Sequence, residues 1–309
     1  MGQTEDTTNT DNDTNTGTDS QVSPIDAAMI ETVGVLGSGI MGSGLAEVLA
    51  RGGRRVIIRS RTREGAEAVV AKTNRNLQRQ VEKGKLAADE AEQIVALITP
   101  TDSFDDLAEC DLVIESVVED LDIKKELFAQ LDAIVKPGAI LATNTSTLPV
   151  VELAMVTQRP ELVVGIHFFN PAPMMKLVEV IHPITAADDT VKTALLFAES
   201  LGKDAVEVAD RAGFIVNALL FPYLNNAVKM WEHGTASIDA IDAAMQGGCN
   251  FPMGPFALLD LVGLDTAVAI LDALYEEFRD PNYAPATSLR RMVTAGHLGR
   301  KTGRGFRWY

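Results

Sequence analysis

Two groups of residues in this chain have the types and spacing that chemistry needs. The first is Gly37-Ser38-Gly39-Ile40-Met41-Gly42, which follows the apolar run Thr32 to Leu36 and precedes the helix-favouring Leu45 to Arg51. In such a strand-turn-helix, Gly37 makes the turn, Gly39 lets backbone approach a pyrophosphate and Gly42 packs helix on sheet. The free amides at the helix start, around Ile40 and Met41, then face the phosphates. The second group is scattered. His167 follows the apolar Leu162 to Ile166 and precedes Phe168-Phe169-Asn170-Pro171, which places it at a strand's carboxyl end, where open α/β sheets bind ligands. Glu179 lies inside the apolar run Leu177 to Ile181, where a carboxylate must face solvent or find a partner. As a pair they suit alcohol oxidation: imidazole takes the hydroxyl proton while hydride leaves for a nicotinamide, and the carboxylate stabilises the imidazolium. Asn144-Thr145-Ser146-Thr147, at another strand end, can supply a hydroxyl near the developing oxyanion, and Asn217 can reach over from the first helix of the following domain. Singly, each of these residues also has a structural reading.

The choice of dinucleotide turns on the end of the second strand, Arg55-Val56-Ile57-Ile58. A carboxylate there ordinarily holds the free adenosine ribose hydroxyls, but this chain has Arg59-Ser60-Arg61-Thr62-Arg63. Guanidinium groups with a hydroxyl between them bind a 2′-phosphate, so NADP is expected over NAD. NAD remains the alternative if the arginines are simply solvated.

The elements that must carry these groups alternate. Strands are expected at Leu112-Val113-Ile114, Ala139 to Ala142, Leu162 to Ile166, Leu177 to Ile181 and Ala205 to Val208, with a long helix-favouring stretch over Arg63 to Ala96 and another helix over Ile123 to Val135. Strand-helix alternation implies α/β architecture, a Rossmann-type doubly wound parallel sheet. From Gly213 onward only helical patterns remain: Phe214 to Trp231, Ile238 to Met245 and Leu258 to Phe278, with breaks at Gly247-Gly248 and at Phe251 to Pro255. The expected organisation is therefore a disordered polar tail over 1–28, a dinucleotide domain over 29–210 and an all-helical domain over 211–309.

Composition narrows the function classes. The 309 residues carry a formal net charge of −16, and Glu5, Asp6, Asp11, Asp13, Asp19 and Asp26 lie in an opening segment with no Lys or Arg. The body is still acidic, which argues against nucleic acid or anionic membrane as partners. No apolar run approaches the roughly 18–20 residues of a membrane span. Cys110 and Cys249 are the whole complement of cysteine, too few for a disulfide framework or a cysteine metal site, so a reducing cytoplasm is expected and no metal. Arg75, Arg79, Lys83 and Lys85 recur at near-helical spacing, as a phosphate site or a solvated face would.

Several motifs in order make the chain resemble the 3-hydroxyacyl-CoA dehydrogenase family from about Thr32 to Tyr309: the glycine string, Asn144-Thr145-Ser146, His167-Phe168-Phe169-Asn170-Pro171, Lys176 to Ile181, Gly213-Phe214-Ile215-Val216-Asn217 and Pro252-Met253-Gly254-Pro255. The resemblance implies His167 as catalytic acid/base, Glu179 as its partner, and Ser146 and Asn217 on the substrate oxygen. It implies cofactor contacts from Glu119, Lys124, Ser146, Asn170 and Lys301, a coenzyme A thioester as substrate, and dimerisation through the helical domain. The arginines at 59 and 61 depart from the acidic residue of NAD-using members. A dehydrogenase of free 3-hydroxy acids, which uses a lysine base, and a non-catalytic dinucleotide-binding protein are the competing readings.

Overall fold

The computed structural model describes residues 26–309, so the expected tail lies outside the described residues up to 25. Its last residues are ordered: Asp26 caps a single 3-10 turn, Ala27–Met29, through a 2.8 Å bond from the Ala28 amide, and Ala27 and Ile30 are buried.

Eight strands form one sheet in the order β3-β2-β1-β4-β5-β6-β7-β8. They are β1 Thr32–Leu36, β2 Arg55–Arg59, β3 Ile98–Thr101, β4 Leu112–Glu115, β5 Ile140–Thr143, β6 Val163–Phe168, β7 Leu177–His182 and β8 Asp204–Ala209. Order reverses between β1 and β4, the switch point at which a crevice opens beyond the carboxyl ends of parallel strands. Helices α1 Ile40–Arg51, α2 Arg63–Glu82, α3 Ala88–Ala96 and α6 Asp188–Ser200 cover one face, where Val33, Val35, Ile58 and Ile114 point. Helices α4 Leu121–Ile134 and α5 Val150–Ala154 cover the other, over Leu36, Val113 and Leu141. Burial on both faces explains why these strands read as continuous apolar runs.

Two departures from expectation concern the sheet. Strand β3 was hidden behind the long helical stretch, which is two helices separated at Lys83–Ala87 with Gly84 at φ 66°. Its Ile-Thr-Pro-Thr is short, and Pro100 is tolerated because β3 pairs only with β2. The sheet is also not wholly parallel: β7 runs antiparallel to β6, with His167 directly opposite Glu179. His167 therefore lies within its strand, one residue before its end, rather than after it.

The helical domain comprises α7 Val216–Glu232, α8 Ile238–Cys249, α9 Pro255–Val262, α10 Leu264–Phe278 and α11 Thr287–Thr294, around a core that includes Phe221, Leu224, Phe256 and Leu271. The expected break at Gly247-Gly248 does not occur: α8 runs through both and ends at Asn250, which adopts the left-handed conformation. The expected single helix to Phe278 is instead two, divided at Gly263, whose φ of 105° no side chain tolerates readily.

Candidate active site

The glycine turn sits at the switch point. Gly37 has φ 115°, and a Cβ there would lie 2.2 Å from the Ser116 carbonyl oxygen at the end of β4; a Cβ at Gly42 would lie 1.8 Å from the Gly37 carbonyl oxygen. Both glycines are thus required by the fold. Gly39 differs, because a Cβ there meets nothing within 4 Å. This glycine keeps a cradle open in front of α1, whose first residues, Ile40, Met41 and Gly42, follow an N-cap with no side-chain bond. Free helix amides beside an unfilled cradle fit a pyrophosphate.

Beside the turn, Ser60 is buried and its Oγ lies 2.9 Å from Ser38 Oγ. The expected hydroxyl between the arginines is therefore turned inward to brace the glycine loop. Arg59 lays its guanidinium 3.9 Å from the Phe104 ring centroid and donates to the Asp102 carbonyl at 3.3 Å, and its burial pulls its pKa below the ordinary value against the opposing charge of Asp102. Arg61 is exposed and makes no hydrogen bond or ion pair among the described residues.

The proton-handling group is compact. Because His167 and Glu179 are cross-strand partners in an antiparallel pair, their side chains share a face, and His167 Nδ1 lies 2.8 Å from Glu179 Oε2. Glu179 is wholly buried, and its other oxygen accepts from the Ile215 and Val216 amides at 3.0 and 2.9 Å. One carboxylate therefore orients the imidazole and anchors the start of α7, which carries Asn217 one residue later. The other ring nitrogen, Nε2, lies 3.2 Å from Ser146 Oγ. Phe169 and Phe214 flank the ring at centroid distances of 4.6 and 5.6 Å. Asn217 is buried yet its amide makes no hydrogen bond among the described residues, and Asn144 Oδ1 fixes the strand end by accepting from the Phe168 amide at 2.8 Å.

Ser146 is itself held. Glu119 accepts from the Ser146 amide at 2.9 Å and from the Thr145 hydroxyl, and lies 3.1 Å from Lys124 Nζ. Partial burial would raise the Glu119 carboxyl, but the Lys124 charge and the Thr145 and Ser146 bonds outweigh it and hold it below the ordinary range. Lys124 is only 1% exposed and its ammonium is also bound by Glu115 at 2.8 Å. Glu115 escaped the sequence reading, although an acidic residue ending the apolar Leu112-Val113-Ile114 carries the same signal as Glu179. Asn170 is exposed beside a cleft of about 600 Å³ that α1, α2 and residues 170–174 line, with Lys72, Arg79, Lys83 and Lys85 among its walls. The Lys301 ammonium pairs with Asp265 at 2.6 Å at the start of α10. Among the described residues no His, Cys, Asp and Glu group has the makings of a metal site, and no helix is long and apolar enough to cross a membrane.

This arrangement can bind a dinucleotide and exchange a proton with a hydroxyl held at His167 Nε2 beside Ser146 Oγ, with α7 bringing Asn217 to the same end of the sheet. Comparison with known proteins agrees with that geometry. Residues 32–211 match the family profile described as 3-hydroxyacyl-CoA dehydrogenase, NAD binding domain, and residues 213–309 match that of the C-terminal domain. The 3-hydroxybutyryl-CoA dehydrogenase of Mycobacterium tuberculosis is 46% identical over 286 residues, 91% of this chain and 99% of the relative. The protein of the same name from Clostridioides difficile is 45% identical, covering 88% and 97%. The crystal structure of (S)-3-hydroxybutyryl-CoA dehydrogenase PaaH1 from Ralstonia eutropha superposes with a TM-score of 0.88 at 41% identity, covering 91% and 99%. With both domains matched in order and the relatives covered almost end to end, the chain belongs to the 3-hydroxyacyl-CoA dehydrogenase family.

Proposed function

We propose that this enzyme reversibly oxidises a short-chain (S)-3-hydroxyacyl-CoA, such as 3-hydroxybutyryl-CoA, to the 3-oxoacyl-CoA, with NADP(H) preferred and NAD(H) as the alternative. The observation that carries the reading is His167 held by Glu179 on one nitrogen and facing Ser146 on the other, beside the dinucleotide turn. In the oxidative direction His167 Nε2 takes the proton of the 3-hydroxyl, and the buried Glu179 carboxyl on Nδ1 stabilises the imidazolium that results. Ser146 and Asn217 hold the oxygen as it becomes a carbonyl; in reduction His167 returns the proton. When bound, the dinucleotide would supply the hydride acceptor or donor; the amides of Ile40 to Gly42 would hold its pyrophosphate, and Glu119 and Asn170, with Lys124 acting through Glu119, would hold its nicotinamide half.

The preference for NADP rests on Arg59 and Arg61. Arg59, its guanidinium 3.9 Å from the Phe104 ring centroid, ends the strand β2 and accepts from the Gly37 amide on its carbonyl, and exposed Arg61 offers an unpaired charge to a 2′-phosphate. The matched family description, which names NAD, favours the second cofactor reading. The cleft walled by Lys72, Arg79, Lys83 and Lys85 supplies the positive charge that coenzyme A phosphates need in an acidic protein. The exposed apolar Leu219, Met230 and Leu261 on the helical domain suit a homodimer interface, and unpaired Cys110 and Cys249 suit a cytoplasmic enzyme.

The test is oxidation of NADPH and of NADH with acetoacetyl-CoA, paired with dissociation constants for both dinucleotides. NADPH is expected to bind more tightly, and Arg61→Ala to weaken NADPH binding roughly tenfold, one charge-assisted contact, with little effect on NADH. Absence of thioester-dependent oxidation of either dinucleotide would overturn the assignment.

A further inference from the structure

The loop Pro171–Lys176 joins the strand that carries His167 to the strand that carries Glu179, and it forms one wall of the 600 Å³ cleft. Its backbone curls on itself, with the Met174 and Met175 amides both donating to the Pro171 carbonyl at 2.9 and 3.0 Å. Only Ala172 is buried, seated against α1 where a Cβ at Gly44 would come within 3.1 Å of its own. The remainder faces outward, Met174 being 78% exposed. Ile40, 68% exposed in the first turn of α1, lines the same cleft. Two exposed apolar side chains, Ile40 and Met174, thus line a cleft that Lys72, Arg79, Lys83 and Lys85 also line.

What fixes this loop is a residue outside every motif. Lys203, in the turn between α6 and β8, sends its ammonium under the loop to donate to the Ala172 carbonyl at 2.7 Å and the Met175 carbonyl at 2.8 Å. The next amide, Asp204, donates to the Lys176 carbonyl at 2.9 Å, so the clamp closes where β7 and β8 begin to pair. Lys203 has no carboxylate partner among the described residues, and its burial lowers its pKa from the ordinary lysine value. The two charge-assisted bonds offset the partial desolvation of the ammonium and tie the loop to the turn before β8.

We propose that Lys203 is a positioning residue for the thioester: by clamping the Ala172 and Met175 carbonyls it holds Met174 at the cleft that Ile40 also lines, where the two form an apolar mouth that takes the uncharged amide-and-alkyl arm of the substrate. The inference rests on the function proposed above. Met174 suits the role because a thioether on an unbranched stem packs against a flexible chain without demanding one shape.

Lys203→Met removes the donors and keeps the stem, and Lys203→Arg keeps a cation able to reach two carbonyls. With acetoacetyl-CoA, Lys203→Met is expected to raise KM roughly tenfold, the loss of about one charge-assisted bond's worth of loop order, while kcat stays within about twofold. The dinucleotide Kd and the pH profile, which report the glycine turn and His167, should not move, and Lys203→Arg should recover most of the KM. Met174→Ser, at an exposed position that cannot disturb the core, should raise KM alike and leave Lys203→Met with little further effect; it also serves if Lys203→Met fails to fold. An unchanged KM in either variant, or a parallel loss of kcat, cofactor binding and thermal stability, would overturn the inference. A wild-type enzyme inactive on thioesters would instead overturn the function on which it rests.

Discussion

Lys124 and Glu115 are respectively 1% and 0% exposed, and a charge pair so deep is costly to desolvate unless every bond is made. Here they are: the Lys124 ammonium has both oxygens of Glu115 and one of Glu119, and Glu115 accepts in addition from Thr143 Oγ1 at 2.8 Å and the Val117 amide at 2.6 Å. The pair links the end of β4 to α4 and, through Glu119, to the Ser146 amide. Removing Lys124 alone leaves Glu115 uncompensated in the interior, so Lys124→Met is expected to cost about 3–5 kcal/mol of stability. Glu115→Gln should cost less, because Lys124 keeps Glu119, and the double variant should recover part of the Lys124→Met loss. Urea unfolding of the three variants measures this directly. If Lys124→Met and Glu115→Gln cost the same and add, the two side chains are not acting as a pair.

At the scale of elements, the strand-turn-helix of β1 and α1 makes different demands on its three glycines. A side chain at Gly42 collides with the Gly37 carbonyl, whereas one at Gly39 meets open space. Gly39→Ala is therefore expected to melt within about 0.5 kcal/mol of the wild type and yet to bind dinucleotide at least roughly tenfold more weakly, whereas Gly42→Ala should lose stability as well, by about 1–3 kcal/mol from overpacking. Melting curves and a fluorescence titration separate the two roles. That this turn was legible in the sequence follows from its locality: glycine spacing, a β-branched run and an apolar helix lie within thirty residues. His167 and Glu179 were legible because each is a polar residue on an apolar strand. The antiparallel turn of β7 was not, since nothing in Leu177 to His182 records which way its neighbour runs. Strand β3 was lost for a related reason, being four residues at an edge whose pairing comes from β2 rather than from its own pattern. Ser60 and Lys203 show the same limit in side chains: a hydroxyl between two arginines, or a lysine in a turn, says nothing about the Ser38 hydroxyl or the two carbonyls that the fold brings to it.

For the molecule as a whole, acid has two separable effects, one on charge and one on stability. The formal net charge of −16 at pH 7 falls to zero near pH 4.7, and about there mutual repulsion between molecules is lost. Asp111 and Asp265 respond later. Burial alone would raise each, but the bond from Lys136 and the Thr32 and Glu31 amides outweigh it at Asp111, as the bond from Lys301 does at Asp265, so both carboxyls sit below the ordinary value. Glu119 is lowered likewise by Lys124. A carboxyl whose pKa is depressed on folding contributes stability that is present above its unfolded pKa and is lost as pH falls through the folded one, here below about pH 4. One of these groups braces the base of the sheet, one the Ser146 loop and one the helical domain, so both domains weaken in the same window. Solubility is therefore expected to reach its minimum near pH 4.7 with secondary structure intact and activity recoverable on return to pH 7, and unfolding to begin only below about pH 4. Turbidity and far-UV circular dichroism on the same samples distinguish the steps. Asp111→Asn with Asp265→Asn should lower stability at pH 7 and make its further decline below pH 4 shallower, because two of the groups that would have taken up protons are already neutral. Loss of the helical signal in step with turbidity near pH 4.7 would show that these carboxyls are not held down by their lysines.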